Sequence, residues 1–382
     1  MEFSFEQGPI RPPSEARSLL VRTTRNCPWN KCAFCHTYRG TKFEMRSVEE
    51  IEDDIEKVKA IADEIKALSL RYGEGGTITG LVAGSVCDRN SNYSVSFKTV
   101  AAWLYHGGES VFLQDANSII MRTDDLVRII TFIRDTFPSV ARITSYCRSN
   151  TAARKSLDEL TSIRKGGLSR IHTGMESGCD PVLKFMRKGV AAEEHVRGGR
   201  KIKEAGISLC EYVMPGLGGR KWSREHAEET ARVINEINPD FVRLRSLHVV
   251  KGTDLYEMMQ EGAFEPLGDE EILEEIRWFV EGLNGSETTI VSDHILNLLE
   301  ELQGKLPDDR EKLLAIIDRY FSLPEEERLI FRLGRRMGIY RRLDDLCDSR
   351  SYLRLKSIVD EYGKGDAGRL EKDLFEAMHN YI

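Results

Sequence analysis

Six short apolar runs rich in β-branched residues recur from Ser18 onward, with longer amphipathic segments between them. They are "SLLVRTT" (18–24), "SVFLQD" (110–115), "ARITSYC" (141–147), "LSRIHTG" (168–174), "GISLCEYVM" (206–214) and "DFVRLRSL" (240–247). Such runs read as buried strands, and strands separated by helical stretches pair in parallel through crossover helices. The pattern predicts the α/β class, a partial (β/α)6 barrel of TIM type over residues 1–250. In "SVEEIEDDIEKVKAIADEIKAL", Val48, Ile51, Ile55, Val58, Ala62 and Ile65 recur at helical spacing behind a Ser47 cap. "SVSFKTVAAWLYHGG" reads as a helix ended by its glycines, and residues 73–93, rich in Gly, Asn and Ser, as a loop or insertion. After about residue 250 the strand signals stop, and runs such as "DDREKLLAIIDRYFSL" and "SYLRLKSIVDEYG" predict a helical C-terminal extension over 251–382.

The 382 residues are 41% hydrophobic and 31% charged, enough apolar material for a sizeable core. A net charge of −7 supplies no global attraction to phosphate backbones. Nucleic acid is therefore disfavoured as a partner, and a small-molecule or lipid-like substrate is expected. No apolar run is long enough to cross a bilayer, so no transmembrane segment is expected. "MEFSFEQGPIRPP" lacks the charged start and apolar centre of a signal peptide, which predicts a cytoplasmic protein.

Three of the eight cysteines, Cys27, Cys32 and Cys35, follow the first strand with the spacing C-x4-C-x2-C. The other five, Cys87, Cys147, Cys179, Cys210 and Cys347, are scattered and read as small buried hydrophobes. In a reducing compartment a tight thiol cluster points to metal binding or redox chemistry. Three thiolates can hold zinc or an iron–sulfur cluster. A structural zinc site wants a fourth ligand; His36 directly follows Cys35, an awkward position for a tetrahedron, and no further Cys/His pair follows at finger spacing. An electron-transfer cluster uses four cysteines, so three leave one iron open to a substrate or cofactor.

The cysteine loop resembles that of the radical S-adenosylmethionine (radical SAM) enzymes, whose usual spacing, C-x3-C-x2-C, is one residue shorter. "LSRIHTGMESGCDPVLKFMRKG" (168–189), followed by a helix and "GISLCEYVMPGLGG", is similar to the fourth and fifth strands of one branch of that family. This branch contains oxygen-independent coproporphyrinogen oxidase, the Elongator catalytic subunit and the methylthiotransferases. The resemblance spans roughly residues 15–250. It implies one 4Fe–4S cluster on Cys27, Cys32 and Cys35, with SAM chelated at the open iron. It further implies reductive cleavage of SAM to a 5′-deoxyadenosyl radical, hydrogen abstraction from substrate without oxygen, and a low-potential electron donor such as flavodoxin or ferredoxin.

The same resemblance assigns roles. Phe34, between the last two cysteines, stands beside the adenine. Gln114, Asp115 and Asn117, at the end of the second strand, receive the SAM ammonium in preference to the literal Gly107-Gly108-Glu109, which reads as a helix-ending turn. Arg148 meets the SAM carboxylate, Glu176 and Ser177 the ribose side, and Met214, Pro215, Gly216 and Leu217 the adenine. "VMPGLGG" is no dinucleotide loop, because it lacks G-x-G-x-x-G. The residues themselves add His294. Ser292 can cap a helix with an apolar stripe of Ile295, Leu298, Leu299 and Leu302, and a His in its first turn gains nothing from the dipole. That helix is expected to cover the barrel mouth, with His294 facing substrate as hydrogen-bond donor or proton-transfer group.

Marks of several subclasses are missing. There is no second cysteine cluster and no D-x-H-x-x-G of cobalamin binders, and Thr37 stands where coproporphyrinogen oxidase adds a fourth cysteine. Two alternatives to the small-molecule reading stand beside it. A non-catalytic iron–sulfur carrier or scaffold would not need the "GMESG" strand. A radical SAM enzyme acting on RNA would normally bring a basic accessory domain, against which the acidic "DDLCDSRS" stands.

Overall fold

The structure, a computed structural model, describes residues 4–363, so residues 364–382 of the expected extension lie outside the described residues. The described residues form two compact units, the first from residues 4–30, 37–174 and 197–209, the second from 31–36, 175–196 and 210–363.

The first unit opens with β1 (Leu19–Arg22), the short pair β2 (Thr24–Arg25) and β3 (Glu44–Met45), and α1 (Val48–Arg71). Ser47 caps α1 with a reciprocal box: its hydroxyl accepts from Glu50 N–H, and the Glu50 carboxylate accepts from Ser47 N–H. Ile51, Ile55, Val58, Ile61 and Ile65 bury the inner face of this helix. There follow α2 (Gly80–Cys87), α3 (Val95–Tyr105), β4 (Ser110–Gln114), α4 (Thr123–Thr136), β5 (Arg142–Cys147), α5 (Ser149–Arg154), α6 (Leu157–Gly166) and β6 (Leu168–Glu176), whose last two residues belong to the second unit. The order β1-β4-β5-β6 is parallel throughout, because every connection is a crossover through helices.

The second unit continues through α7 (Asp180–Phe185), the shared α8 (Ala192–Glu204), β7 (Ser208–Val213), α9 (Gly219–Ile237), β8 (Phe241–Leu244), α10 (Asp254–Gln260) and α11 (Asp269–Gly282). It closes with β9 (Thr289–Val291), β10 (Gly304–Lys305), α12 (Arg310–Ser322), α13 (Glu325–Arg336) and α14 (Ser349–Gly363). β7, β8 and β9 are parallel, and β10 returns antiparallel on β9.

Each of the six predicted runs contains a strand, and the fold is the expected α/β class of mostly parallel strands with surrounding helices. Three details differ. Residues 73–93 contain α2, which forms despite its glycines because Val82, Ala83 and Val86 are buried. The C-terminal part is not purely helical, since β9 and β10 extend the strand series. The helix expected from Ser292 is absent. Ser292 donates its hydroxyl to the Leu299 carbonyl (2.9 Å) instead of capping, while the Asn297 amide donates to the Leu244 carbonyl (2.9 Å) and accepts from Ser246 N–H (2.9 Å). These ties close the segment into a turn, and Leu298, Leu299 and Leu302 are buried without helical spacing being used. Among the described residues no helix is long and apolar enough to cross a membrane.

Candidate active site

Cys27, Cys32 and Cys35 are half-buried cysteines, none of them in a disulfide, on the loop after β2. On its N-terminal side, in the first unit, Asn26 and Asn30 adopt left-handed φ of 67° and 52°, a conformation asparagine tolerates. Their side-chain amides donate to the carbonyls of Lys42 and Thr41, each at 2.7 Å. Asp115, fully buried, accepts from Asn26 N–H (3.2 Å), from Arg22 Nη2 (2.9 Å) and from the Tyr38 hydroxyl. Burial and this carboxylate hold the Tyr38 phenol well above its ordinary pKa, so it stays a donor. In the second unit, Ala33 N–H donates to the Met186 carbonyl and Leu255 N–H to the Ala33 carbonyl, each at 2.9 Å. Phe34 packs against the cluster of Cys179, Val182, Met186, Met214 and Leu217.

The remaining predicted site residues are divided between the two units. Gln114 is buried and its side chain is engaged with the N-terminal segment, accepting from Gly8 N–H (2.8 Å) and donating to the Ile10 carbonyl (2.6 Å). Asn117 accepts from Arg148 N–H (3.1 Å) and donates to Thr151 (2.9 Å), while the Arg148 guanidinium lies 5.5 Å from the Trp29 ring centroid. Gly107 and Gly108, both at positive φ, end α3 as expected.

Glu176 closes β6 at φ 67°, a strained conformation for a non-glycine residue at a strand end. Lys188 Nζ lies 3.2 Å from its carboxylate and 5.8 Å from the Phe34 ring centroid. Below it on β7 is Glu211, fully buried, with no hydrogen-bond partner for either oxygen among the described residues. Burial, with the nearby charge of Glu176, drives its pKa far up, so its carboxyl is neutral.

Behind these groups, α9 and α11 tie the Glu176 turn to the Met214–Leu217 loop. His226, fully buried, is linked through Nδ1 to the Ser177 hydroxyl (2.8 Å) and through Nε2 to the Met214 carbonyl (3.1 Å). A carbonyl only accepts, so Nε2 carries the hydrogen and Nδ1 accepts from Ser177. Burial lowers the His226 pKa to about 4, which keeps that tautomer neutral. Glu275 on α11 accepts from Gly216 N–H (2.6 Å) and the Ser223 hydroxyl (2.5 Å). Burial lifts its pKa to about 7 against these two donors. Gly178 N–H donates to Thr230 (2.9 Å), and a Cβ on Gly178 would meet the Glu229 carbonyl oxygen at 2.5 Å.

His294 sits in the turn after β9, with Nδ1 accepting from Leu296 N–H (3.3 Å). Burial and the charges of Arg245, Arg243 and Arg335 lower its pKa to about 3. It is a neutral imidazole with Nε2–H left to donate. Asp293 pairs with Arg243 at 2.8 Å.

Sequence reading missed Tyr38, Lys188, His226 and Glu275. The last two lie in amphipathic helices, where a polar residue is expected to face water. The available signal was helical phase: His226 shares a face with Ala227, Thr230 and Ile234.

The donor set fits the implied cluster. Among the described residues no three Cys, His, Asp or Glu side chains converge as on a single ion. An iron–sulfur cluster asks for something else, soft thiolates that each take a different iron, and the loop supplies three.

No family model matches the chain. It is 26% identical over 305 residues to the tRNA uridine(34) acetyltransferase of Methanocaldococcus infernus, covering 72% of this chain and 51% of that protein. The chain thus spans about half the length of this curated relative. Among solved structures it is similar to the archaeal Methanocaldococcus infernus Elp3 with an N-terminal deletion (TM-score 0.41, 18% identity, 56% of this chain and 53% of that one). It is also similar to the radical SAM methyltransferase TsrM from Kitasatospora setae, solved with cobalamin and a [4Fe-4S] cluster bound (TM-score 0.44, 14% identity, 64% and 37%).

These findings correct one expectation. Nucleic acid was disfavoured on net charge, yet the curated relative is named for its action on tRNA. A net charge of −7 is a sum over the whole surface, whereas nucleic acid responds to the local field of one face. The curated relative is named as an enzyme, in keeping with the expectation of a catalytic protein.

Proposed function

We propose that this chain is a radical SAM enzyme whose substrate is an RNA, with tRNA the favoured class. The observation that carries the substrate is the likeness to a tRNA uridine(34) acetyltransferase over 72% of the chain. The acetyl transfer in that name is said of the relative; what is proposed here is radical chemistry on the RNA.

When bound, a 4Fe–4S cluster and SAM supply one-electron reduction of the sulfonium and hydrogen-atom abstraction. The chain's own residues prepare the place for them. Cys27, Cys32 and Cys35 are the ligands, and Asp115, with Arg22, Asn26 and Tyr38, holds the loop that carries them. Glu176, oriented by Lys188, takes ribose hydroxyls, and Phe34 with Met214–Leu217 takes adenine. His226 and Glu275 hold the Met214–Leu217 loop from behind. His294, neutral and with Nε2–H to give, orients the RNA as a hydrogen-bond donor rather than as an acid.

The test is anaerobic reconstitution with iron and sulfide, then SAM and dithionite with and without a tRNA transcript. Formation of 5′-deoxyadenosine that rises with tRNA, together with a mass change in one nucleoside, is expected. Equal 5′-deoxyadenosine with and without tRNA, and no altered nucleoside, would overturn the substrate assignment.

A further inference from the structure

Arg243 and Arg245 stand two residues apart along β8 and its continuation, and alternate residues of a strand project to the same face. The continuation is held by Arg245 N–H donating to the Val213 carbonyl (3.0 Å) and Leu247 N–H to the Pro215 carbonyl (2.8 Å). Arg245 therefore lies directly beside the start of the Met214–Leu217 loop. Asn297 fixes the next residue by accepting from both Ser246 N–H and its hydroxyl.

The two arginines differ in one respect. Arg243 Nη1 lies 2.8 Å from each oxygen of Asp293, so its charge is answered. The half-buried Arg245 guanidinium makes no hydrogen bond or ion pair among the described residues. Arg245 shares the neighbour His294 with two other arginines, Arg243 and Arg335. Arg335 has Glu300 at 3.5 Å, and Asp293 is committed to Arg243. A cation partly withdrawn from water without a counter-charge costs free energy, and an oxygen anion relieves that cost. The planar fork of five donors suits such an anion.

We propose that Arg245 is the contact for a backbone phosphate of the RNA substrate, beside the Met214–Leu217 loop. This rests on the RNA reading above and adds the point at which the chain grips the nucleic acid. The other oxygen anion available is the SAM carboxylate, for which Arg148 already stands at the end of β5. RNA brings a phosphate with every nucleotide.

A labelled, unmodified tRNA transcript is titrated with the wild type, Arg245→Gln and Arg245→Lys between about 50 and 200 mM salt, with SAM affinity measured on the same preparations. The Gln variant should bind tRNA about tenfold more weakly, with the slope of log K against log salt shallower by roughly 0.7–0.9. The Lys variant should keep the slope, and SAM affinity should be the same in all three, which also shows that they are folded. Wild-type tRNA affinity and slope in the Gln variant, or a loss confined to SAM, would overturn the proposal. If the wild type itself binds no tRNA, the substrate reading fails first and this inference falls with it.

Discussion

Glu275→Gln offers a quantitative check on the buried network. In the folded chain the Glu275 carboxyl titrates at about 7 rather than at its ordinary 4.5, because burial penalises the charge more than Gly216 and Ser223 relieve it. A group whose pKa is raised on folding favours the folded state while protonated. That advantage is complete below pH 4.5 and is lost as pH rises through about 7. At 1.36 kcal/mol per pH unit the loss is about 3 kcal/mol. Glutamine keeps an oxygen for Gly216 N–H, and its amide donates to Ser223 Oγ, so the contacts survive and only the titration disappears. His226, lowered to about 4, works in the opposite sense: its neutral form is favoured, and stability falls as pH drops below 6.5. It is present in both proteins and cancels in the difference. Urea unfolding of both proteins at a series of pH values should therefore show the Gln variant gaining on the wild type by about 3 kcal/mol between pH 4.5 and 8. Parallel stability curves would refute the buried, raised-pKa assignment.

Three further outcomes are expected. Asp115→Asn removes the charge facing Arg22 and should cost about 3 kcal/mol of stability while lowering the iron retained per chain after reconstitution; full iron loading would show that the loop does not depend on it. Gly178→Ala drives a Cβ into the Glu229 carbonyl and the Thr230 Cα at 2.5 and 2.8 Å, and thermal unfolding should register about 2–3 kcal/mol of destabilisation. His294→Ala should leave cluster content and RNA-free 5′-deoxyadenosine formation intact while nucleoside modification falls about tenfold, since one hydrogen bond to substrate is lost; unchanged modification removes His294 from the site.

The parallel strands were legible because burial on both faces demands continuous apolar runs, and "SVFLQ" or "RITSYC" can hardly be anything else. β9 and β10 were not, since three- and two-residue strands fall below any periodic signal. The segment after Ser292 misled because an apolar stripe behind a serine is written identically for a helix and for a turn. The choice was made by Asn297 reaching Leu244 and Ser246, residues some fifty positions earlier in the chain. The cysteines were legible as local spacing. The network behind the site was not, because Ser177, Met214, His226 and Glu275 are brought together only by tertiary folding. Net charge misled for a similar reason: a composition cannot say that Arg245 is left without a carboxylate while Arg243 has one.

The cysteine loop has a consequence for which substitutions can disturb it. Its bends are set by Asn26 and Asn30, its flanks by Asp115, and its middle by Ala33 bonding to Met186 and Leu255, all groups of the polypeptide alone. A substitution at Asn26, Asn30 or Asp115 therefore acts on the three cysteines through the backbone that carries them, without touching a thiol.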